Sequence, residues 1–183
     1  MHAAEICPES DLERRIVTDP VWREGVRYGK PRPGHPEGSV LAHIHEVLEN
    51  VDRYYGDFPT REELRLIALL HDCQKSAVDR SRPKIGDNHH ARLARKFAEQ
   101  HIDAPHVLNV IEHHDDAYIA WRQAEESGDW ERATDQAVSL LEKLGSDLPL
   151  FIAFYKCDNR TGDKSQASYD WFCTLMETRW KPE

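Results

Sequence analysis

Six side chains in this sequence are of the two types that bind divalent transition metals most readily, imidazole and carboxylate: His43, His71, Asp72, His90, His114 and Asp158. The arrangement centres on residues 66–75, LIALLHDCQK, where an apolar run ends in the adjacent pair His71-Asp72, with Lys75 three residues on. Leu64, Leu66, Ile67, Ala68, Leu69 and Leu70 cover the whole circumference of a helix, which marks it as buried on most sides. A histidine and a carboxylate at the end of such a helix need partners, because unpaired buried polar groups cost several kcal/mol. A metal ion is one such partner and a structural hydrogen-bond network is the other. The pair alone does not decide between them. With 11 histidines in the chain, about one His-Asp neighbour pair arises by chance, and the chain holds two, the second being His114-Asp115.

The neighbouring helices supply the rest. At about 100° per residue, each candidate can be tested against the apolar stripe of its own helix. His43 lies at the edge of the stripe Val40, Ile44, Val47, Leu48 and Val51, whereas His45 points further out. His90 falls with Leu93, Ala94 and Phe97, and His89 is turned about 100° away. His114 sits among Val107, Val110, Ile111, Ala117 and Tyr118, and His113 does not; Asp158 is in line with Phe151, Phe154 and Tyr155. Five helices thus contribute six inward polar groups. Taken singly, each has a bland reading as a hydrogen-bonded core residue. Uncompensated together, they would cost more than the ~5–15 kcal/mol that stabilises a whole domain. One cation, or two close together, compensates all six. The expected cofactor is therefore a divalent transition metal, one or two ions, of Mn, Fe, Co, Ni or Zn, since mixed imidazole and carboxylate ligands suit these better than Mg.

The elements that must position these groups are helices, and strand alternation is nearly absent. Ser10 with Glu13 forms a capping box for a first helix. Residues 29–38, GKPRPGHPEG, must be a loop. Ser39 caps a helix through about Tyr55, and a second capping box at residues 60–63, TREE, opens the helix that ends in His71. Asp87 or Asn88 caps the next, running to about His101; Asp103 and Pro105 start another that bends near Asp115 and Asp116 and continues to Glu126. Further helices run from Asp129 to about Gly145, from about Asp147 to Asp158, and from about Gln166 to Thr178. The expected fold class is all-α, a bundle of about eight helices. A single domain is expected over residues 1–183: an N-terminal helix and Pro/Gly-rich loop (1–36), a core (37–165) with a helical insertion at about 117–145, and a C-terminal helix (166–183).

Composition narrows the function. The net charge of -9 argues against a nucleic-acid surface, which needs a basic stripe. No apolar run approaches the ~20 residues of a membrane span, and the start lacks the order of a signal peptide, so a cytoplasmic protein is expected. Cys7, Cys73, Cys157 and Cys173 show no CxxC spacing and read as free thiols.

The pattern H…HD…H…H…D on helices resembles the HD superfamily of metal-dependent phosphohydrolases, over about residues 35–165. His43 matches the family's first histidine, and HPEGSVLAH is similar to HD modules found beside tRNA nucleotidyltransferases. LLHDCQK matches the HD motif, usually LLHDxGK, with Gln74 where a glycine is common. Asp158, in FYKCDNRTGDK, matches the final aspartate. His90 and His114 match the two additional histidines of six-ligand members, which the resemblance associates with a two-metal centre.

Asp72 is then placed to bridge two ions, and two metals about 3.5–4 Å apart clamp the attacking and leaving oxygens of a phosphoryl group. Asp72 and Lys75 are the expected catalytic residues. An acidic protein that binds phosphate also needs local positive charge. Lys75, Arg80, Arg82 and Lys164 are the expected substrate-binding cations; for each the plain alternative is a solvated surface charge. The expected activity is a metal-dependent phosphohydrolase on a small phosphorylated molecule, a nucleotide. A di-iron oxygenase on the same scaffold and a non-catalytic metal-stabilised binding module are the alternatives. The extra helices with Trp121 and Trp130 are read as either a lid or a homodimer surface.

Overall fold

The computed structural model describes residues 6–179, so the outermost ends of the expected domain lie outside it. It is all-α. The ten α-helices of the described residues are α1 (Asp11–Thr18), α2 (Pro20–Gly25), α3 (Val40–Tyr55), α4 (Arg61–Leu70), α5 (His90–Ala98), α6 (Pro105–His113), α7 (Asp116–Ser127), α8 (Trp130–Leu144), α9 (Leu148–Asn159) and α10 (Ala167–Arg179). The eight expected helices are present, one of them in two pieces, and α2 is additional. The 29–38 loop carries only two isolated bridges, Gly29 with Ser39 and Arg32 with His35.

The apolar helix α4 is the axle. Leu64, Ile67, Ala68, Leu69 and Leu70 are completely buried, and α1, α3, α6 and α9 pack around them. Transfer of such side chains from water contributes about 1.5–3 kcal/mol each, which is why a helix with no polar face belongs at the centre. Of its charged residues Arg61, Glu62, Glu63 and Arg65, only Arg65 is buried, and it pairs through two nitrogens with the buried carboxylate of Glu13 on α1, at 2.7 and 2.9 Å. On the far side α7 and α8 pair through Ala120, Ala124 and Ala133, with Trp171 of α10 against them.

Four local expectations are corrected. The Ser10 hydroxyl does accept from Glu13 N, but the Glu13 carboxylate accepts from Glu9 N and pairs with Arg65, so the box closes one residue early. Thr60 makes no side-chain cap, because its backbone is already helical and Glu63 bonds His106 instead. Neither Asp87 nor Asn88 caps α5. The Asn88 amide is engaged across the preceding loop, accepting from Asp79 N and donating to the Asp79 and Pro83 carbonyls, all at 2.9 Å, and the His89 side chain caps α5. The bend near Asp115 is a full break between α6 and α7.

Helix α2 was not visible in the pattern. The Asp19 carboxylate accepts from Val21 N and Trp22 N and Pro20 opens the first turn, which is a start signal of the ordinary kind. Its six residues are too few to display a period. It buttresses the end of α4: Trp22 Nε1–H donates to the Leu69 carbonyl at 2.7 Å. Gly25 approaches so closely that a Cβ there would lie 1.9 Å from the Cys73 carbonyl oxygen.

Candidate metal centre

All six candidate side chains sit at helix ends that converge on one face of α4. His43 is in the first turn of α3; His71 caps the C-terminus of α4 and Asp72 follows it; His90 opens α5; His114 caps α6; Asp158 is in the last turn of α9. His43, His71, Asp72 and His114 are buried, and Asp158 and His90 are largely so. The two double histidines each divide between an inward ring and one placed otherwise. His90 and His114 turn inward, with Nε2 atoms 3.4 Å apart, whereas His113 turns away to Asp116 at 2.8 Å. His89 lies between the two cases, its ring tilted on His90 with centroids 4.4 Å apart.

Asp72 divides the cluster into two halves. Its Oδ2 faces His71 Nε2 at 3.4 Å and His43 Nε2 at 3.8 Å, and His43 Nε2 is 2.9 Å from Asp158 Oδ1. Its Oδ1 faces His90 Nε2 at 3.4 Å and His114 Nε2 at 3.5 Å. Asp115 adds a carboxylate to this second half, 3.7 Å from His90 Nε2. Three sets, each of two imidazoles and one carboxylate, lie close enough to share a cation: His43, His71 and Asp158 in the first half; His71, Asp72 and His114 across the middle; His89, His90 and Asp115 in the second half.

The protonation pattern fits a cation. His71 Nδ1–H donates to the Ala68 carbonyl at 3.0 Å, and His114 Nδ1–H donates to the Ile111 carbonyl at 2.9 Å. A carbonyl only accepts, so each Nδ1 carries its proton and the neutral ring turns an Nε2 lone pair inward. The lone pairs of His71 and His114 therefore meet the carboxylate oxygens of Asp72, at 3.4 and 3.5 Å. Buried Asp72 Oδ1 has no hydrogen-bond partner. Such convergence of acceptors is what a divalent ion relieves.

Charge shifts point the same way. Burial alone would raise the Asp72 carboxyl, but Lys75 and the flanking imidazoles hold it well below the usual carboxylate range. Asp158 behaves likewise, with Lys164 and His43 outweighing its burial. Burial pushes His90 down to about 3, so it stays a neutral ligand. His114 alone of these rings shifts the other way, upward in spite of burial, because Asp72 and Asp115 face it and their negative charge favours a positive charge, a proton or a metal ion, at that place. Burial pushes the Cys73 and Cys157 thiols up to about 12, and neither belongs to the ligand sets of the described residues.

The family model for the HD domain matches residues 40–145, more than half of the chain, with the His71-Asp72 pair inside the match. The chain belongs to the HD domain family. HD domains are mostly metal-dependent phosphohydrolases that bind divalent metals, and the buried His/Asp cluster fits that metal site. No curated protein and no solved structure matches the chain.

The HD cluster lines the floor of a cleft of about 1000 Å³. Lys75 ion-pairs with Asp72 Oδ2, and it keeps its proton because Asp72, Asp115 and Asp158 outweigh its burial. Lys164 holds Asp158 through its carboxylate at 3.1 Å and its carbonyl at 3.0 Å. Both lysines line the cleft. Arg80 is instead folded back on Tyr28, donating to its hydroxyl at 3.1 Å, and neither it nor Arg82 reaches the cleft wall; Lys84 does.

Sequence reasoning missed three residues beside the HD ligands. Asp115 follows His114 directly but is not among the six expected ligands. Glu37 is buried with Oε1 3.5 Å from His43 Nδ1 and 2.9 Å from His35 Nδ1, and its carboxyl is lowered to about 2, the two histidines outweighing its burial. Glu37 and His35, the third missed residue, both lie in the Pro/Gly-rich loop, where no helical period exists to show which way a side chain turns. The adjacency of HPEG to the His43 helix was the available signal.

Proposed function

We propose that this chain is a metal-dependent phosphohydrolase acting on a small phosphorylated substrate, a nucleotide. The observation that carries the reading is the division of Asp72, one oxygen toward His43 and His71 and the other toward His90 and His114. His43, His71, Asp72 and Asp158 would hold one transition-metal ion; Asp72, His90 and His114, with Asp115 beside them, would hold a second. Divalent ions there supply Lewis acidity toward a phosphoryl oxygen and acidify water. The chain does the rest. The Nδ1–H bonds of His71 and His114 fix those rings, and the bond to a carbonyl strengthens each Nε2 as a ligand. Lys75 and Lys164 set protonated ammonium groups beside the two carboxylates, where they can meet phosphoryl oxygens.

The test is elemental analysis of the purified protein, then a phosphatase screen over nucleotides and sugar phosphates with Mn, Fe, Co, Ni or Zn added. A bound transition metal, chelator-sensitive turnover of phosphate esters and a melting temperature lowered by chelation are expected. Oxygen consumption by an iron-loaded protein with no phosphate release would overturn the reading in favour of an oxygenase. Metal binding without turnover of any ester would leave a binding module.

A further inference from the structure

We propose that Tyr118 and Trp121, on the first turns of α7, form a subsite for a planar aromatic ring carried by the substrate. The ester taken by this cleft is then the phosphate of a ring-bearing alcohol, such as a nucleoside, and not of a bare sugar or polyol. The proposal rests on the phosphohydrolase reading and names what surrounds the phosphate.

The two rings stand outside the apolar core. Tyr118 and Trp121 pack against neither of the two apolar clusters of the described residues, although Trp22, Trp171 and most other large apolar side chains do. Trp130, the other tryptophan of this region, is paired with Trp171 at 6.1 Å. Tyr118 and Trp121 touch each other instead, with centroids 6.3 Å apart and planes inclined by 31°. Tyr118 is 37% exposed and Ile85, on the loop before α5, is 73% exposed; both belong to the wall of the cleft that holds the His/Asp cluster. Large apolar groups left open to water are informative when they gather at one concavity.

Their distance from the chemistry is set by the chain. Helix α7 starts at Asp116, directly after His114 and Asp115, so at 1.5 Å per residue Tyr118 and Trp121 lie roughly 3 and 8 Å along its axis from that start. A phosphate on the cluster thus leaves the attached group beside these rings. The cleft, about 1000 Å³, is much larger than a phosphate needs. The Arg122 guanidinium lies over the Tyr118 ring, 5.9 Å from its centre, and adds a cation to this wall of the cleft. Stacking of this kind accepts any base, since every base has a π-face.

The experiment compares adenosine 5′-monophosphate with ribose 5-phosphate on the metal-reconstituted protein and on Tyr118→Leu and Trp121→Leu. We expect the wild type to favour the nucleotide in kcat/KM, and each variant to lose about 5- to 100-fold on it through KM. Ribose 5-phosphate turnover should stay within about twofold, as neither ring touches the metal cluster. Equal use of both esters, or variants that change both alike, would overturn the ring subsite and leave the phosphohydrolase reading standing. If neither ester is hydrolysed, that reading falls while the subsite is still decided by fluorescence. Adenosine should then quench tryptophan emission in the wild type and not in Trp121→Leu; no quenching in the wild type overturns the subsite too.

Discussion

His71 and His114 stand in the same relation to two different helices. Each caps the C-terminus of its helix, each donates Nδ1–H to the carbonyl three residues back, and each is followed by an aspartate. Their rings are 5.0 Å apart at 85°, and Asp72 presents a separate oxygen to each. This makes Asp72 the most sensitive position in the cluster. Asp72→Asn keeps the shape but replaces one of those oxygens with a donor and removes the charge. The expected result is loss of bound metal and of phosphohydrolase turnover in a chain whose circular dichroism is unchanged, with Asp158→Asn weaker in the same direction. Full activity in Asp72→Asn would sink the catalytic reading.

Lys75 should separate from the carboxylates. Its ammonium pairs with Asp72 Oδ2 but cannot itself ligate a cation while protonated, and its pKa is raised. Lys75→Ala is expected to retain metal and to lose turnover by roughly 30- to 1000-fold, the ~2–4 kcal/mol that one charged transition-state contact supplies. Metal content and kcat measured on one preparation distinguish a lysine that meets the phosphate from one that only neutralises Asp72.

The doubled histidines offer a third measurement. His90→Ala and His114→Ala should each lower the metal content per chain, because their Nε2 atoms face Asp72 Oδ1. His113→Ala should not, since that ring is held by Asp116. His89→Ala is expected to keep the metal but to lower the melting temperature slightly, because His89 Nδ1 caps α5. Metal loss in His89→Ala or His113→Ala with retention in the other two would reverse the assignment of inward rings.

The helices and their inward faces were legible because 3.6-residue periodicity survives in α3, α5, α6 and α9 strongly enough to orient single residues. His43, His90, His114 and Asp158, which the wheels turn inward, lie beside His71 and Asp72 at the end of α4. The period says nothing where there is no helix. Glu37 and His35 are in a Pro/Gly-rich turn, and Arg80 and Arg82 are in a loop shaped by the Asn88 amide, so nearness to the motif in sequence did not become nearness in space. Asp115 was hidden differently: the helix breaks there, and a wheel drawn through the break misplaces whatever follows it. Cap positions failed where a competing tertiary partner took the side chain, as His106 takes Glu63.

The element the sequence concealed best, α2, also has a stability consequence. Leu69 is two residues before His71, and its carbonyl receives no helical donor, because Cys73 N bonds the Leu70 carbonyl. Trp22 Nε1–H supplies the missing donor at 2.7 Å from a side chain that is 4% exposed. Trp22→Phe retains most of the buried ring and removes only that donor. A buried carbonyl left without a partner costs about 1–3 kcal/mol, and in a chain of this size each kcal/mol shifts the melting temperature by about 2–4 °C. Thermal unfolding should therefore begin several degrees lower in Trp22→Phe. Trp22→Ala, which also opens a cavity, should cost about 3–5 kcal/mol. Because the bond is made to the turn that carries His71 and Asp72, Trp22→Phe should weaken metal retention as well, although Trp22 touches no ligand. A Trp22→Phe protein that melts and holds metal like the wild type would show that α2 covers the end of α4 without positioning it.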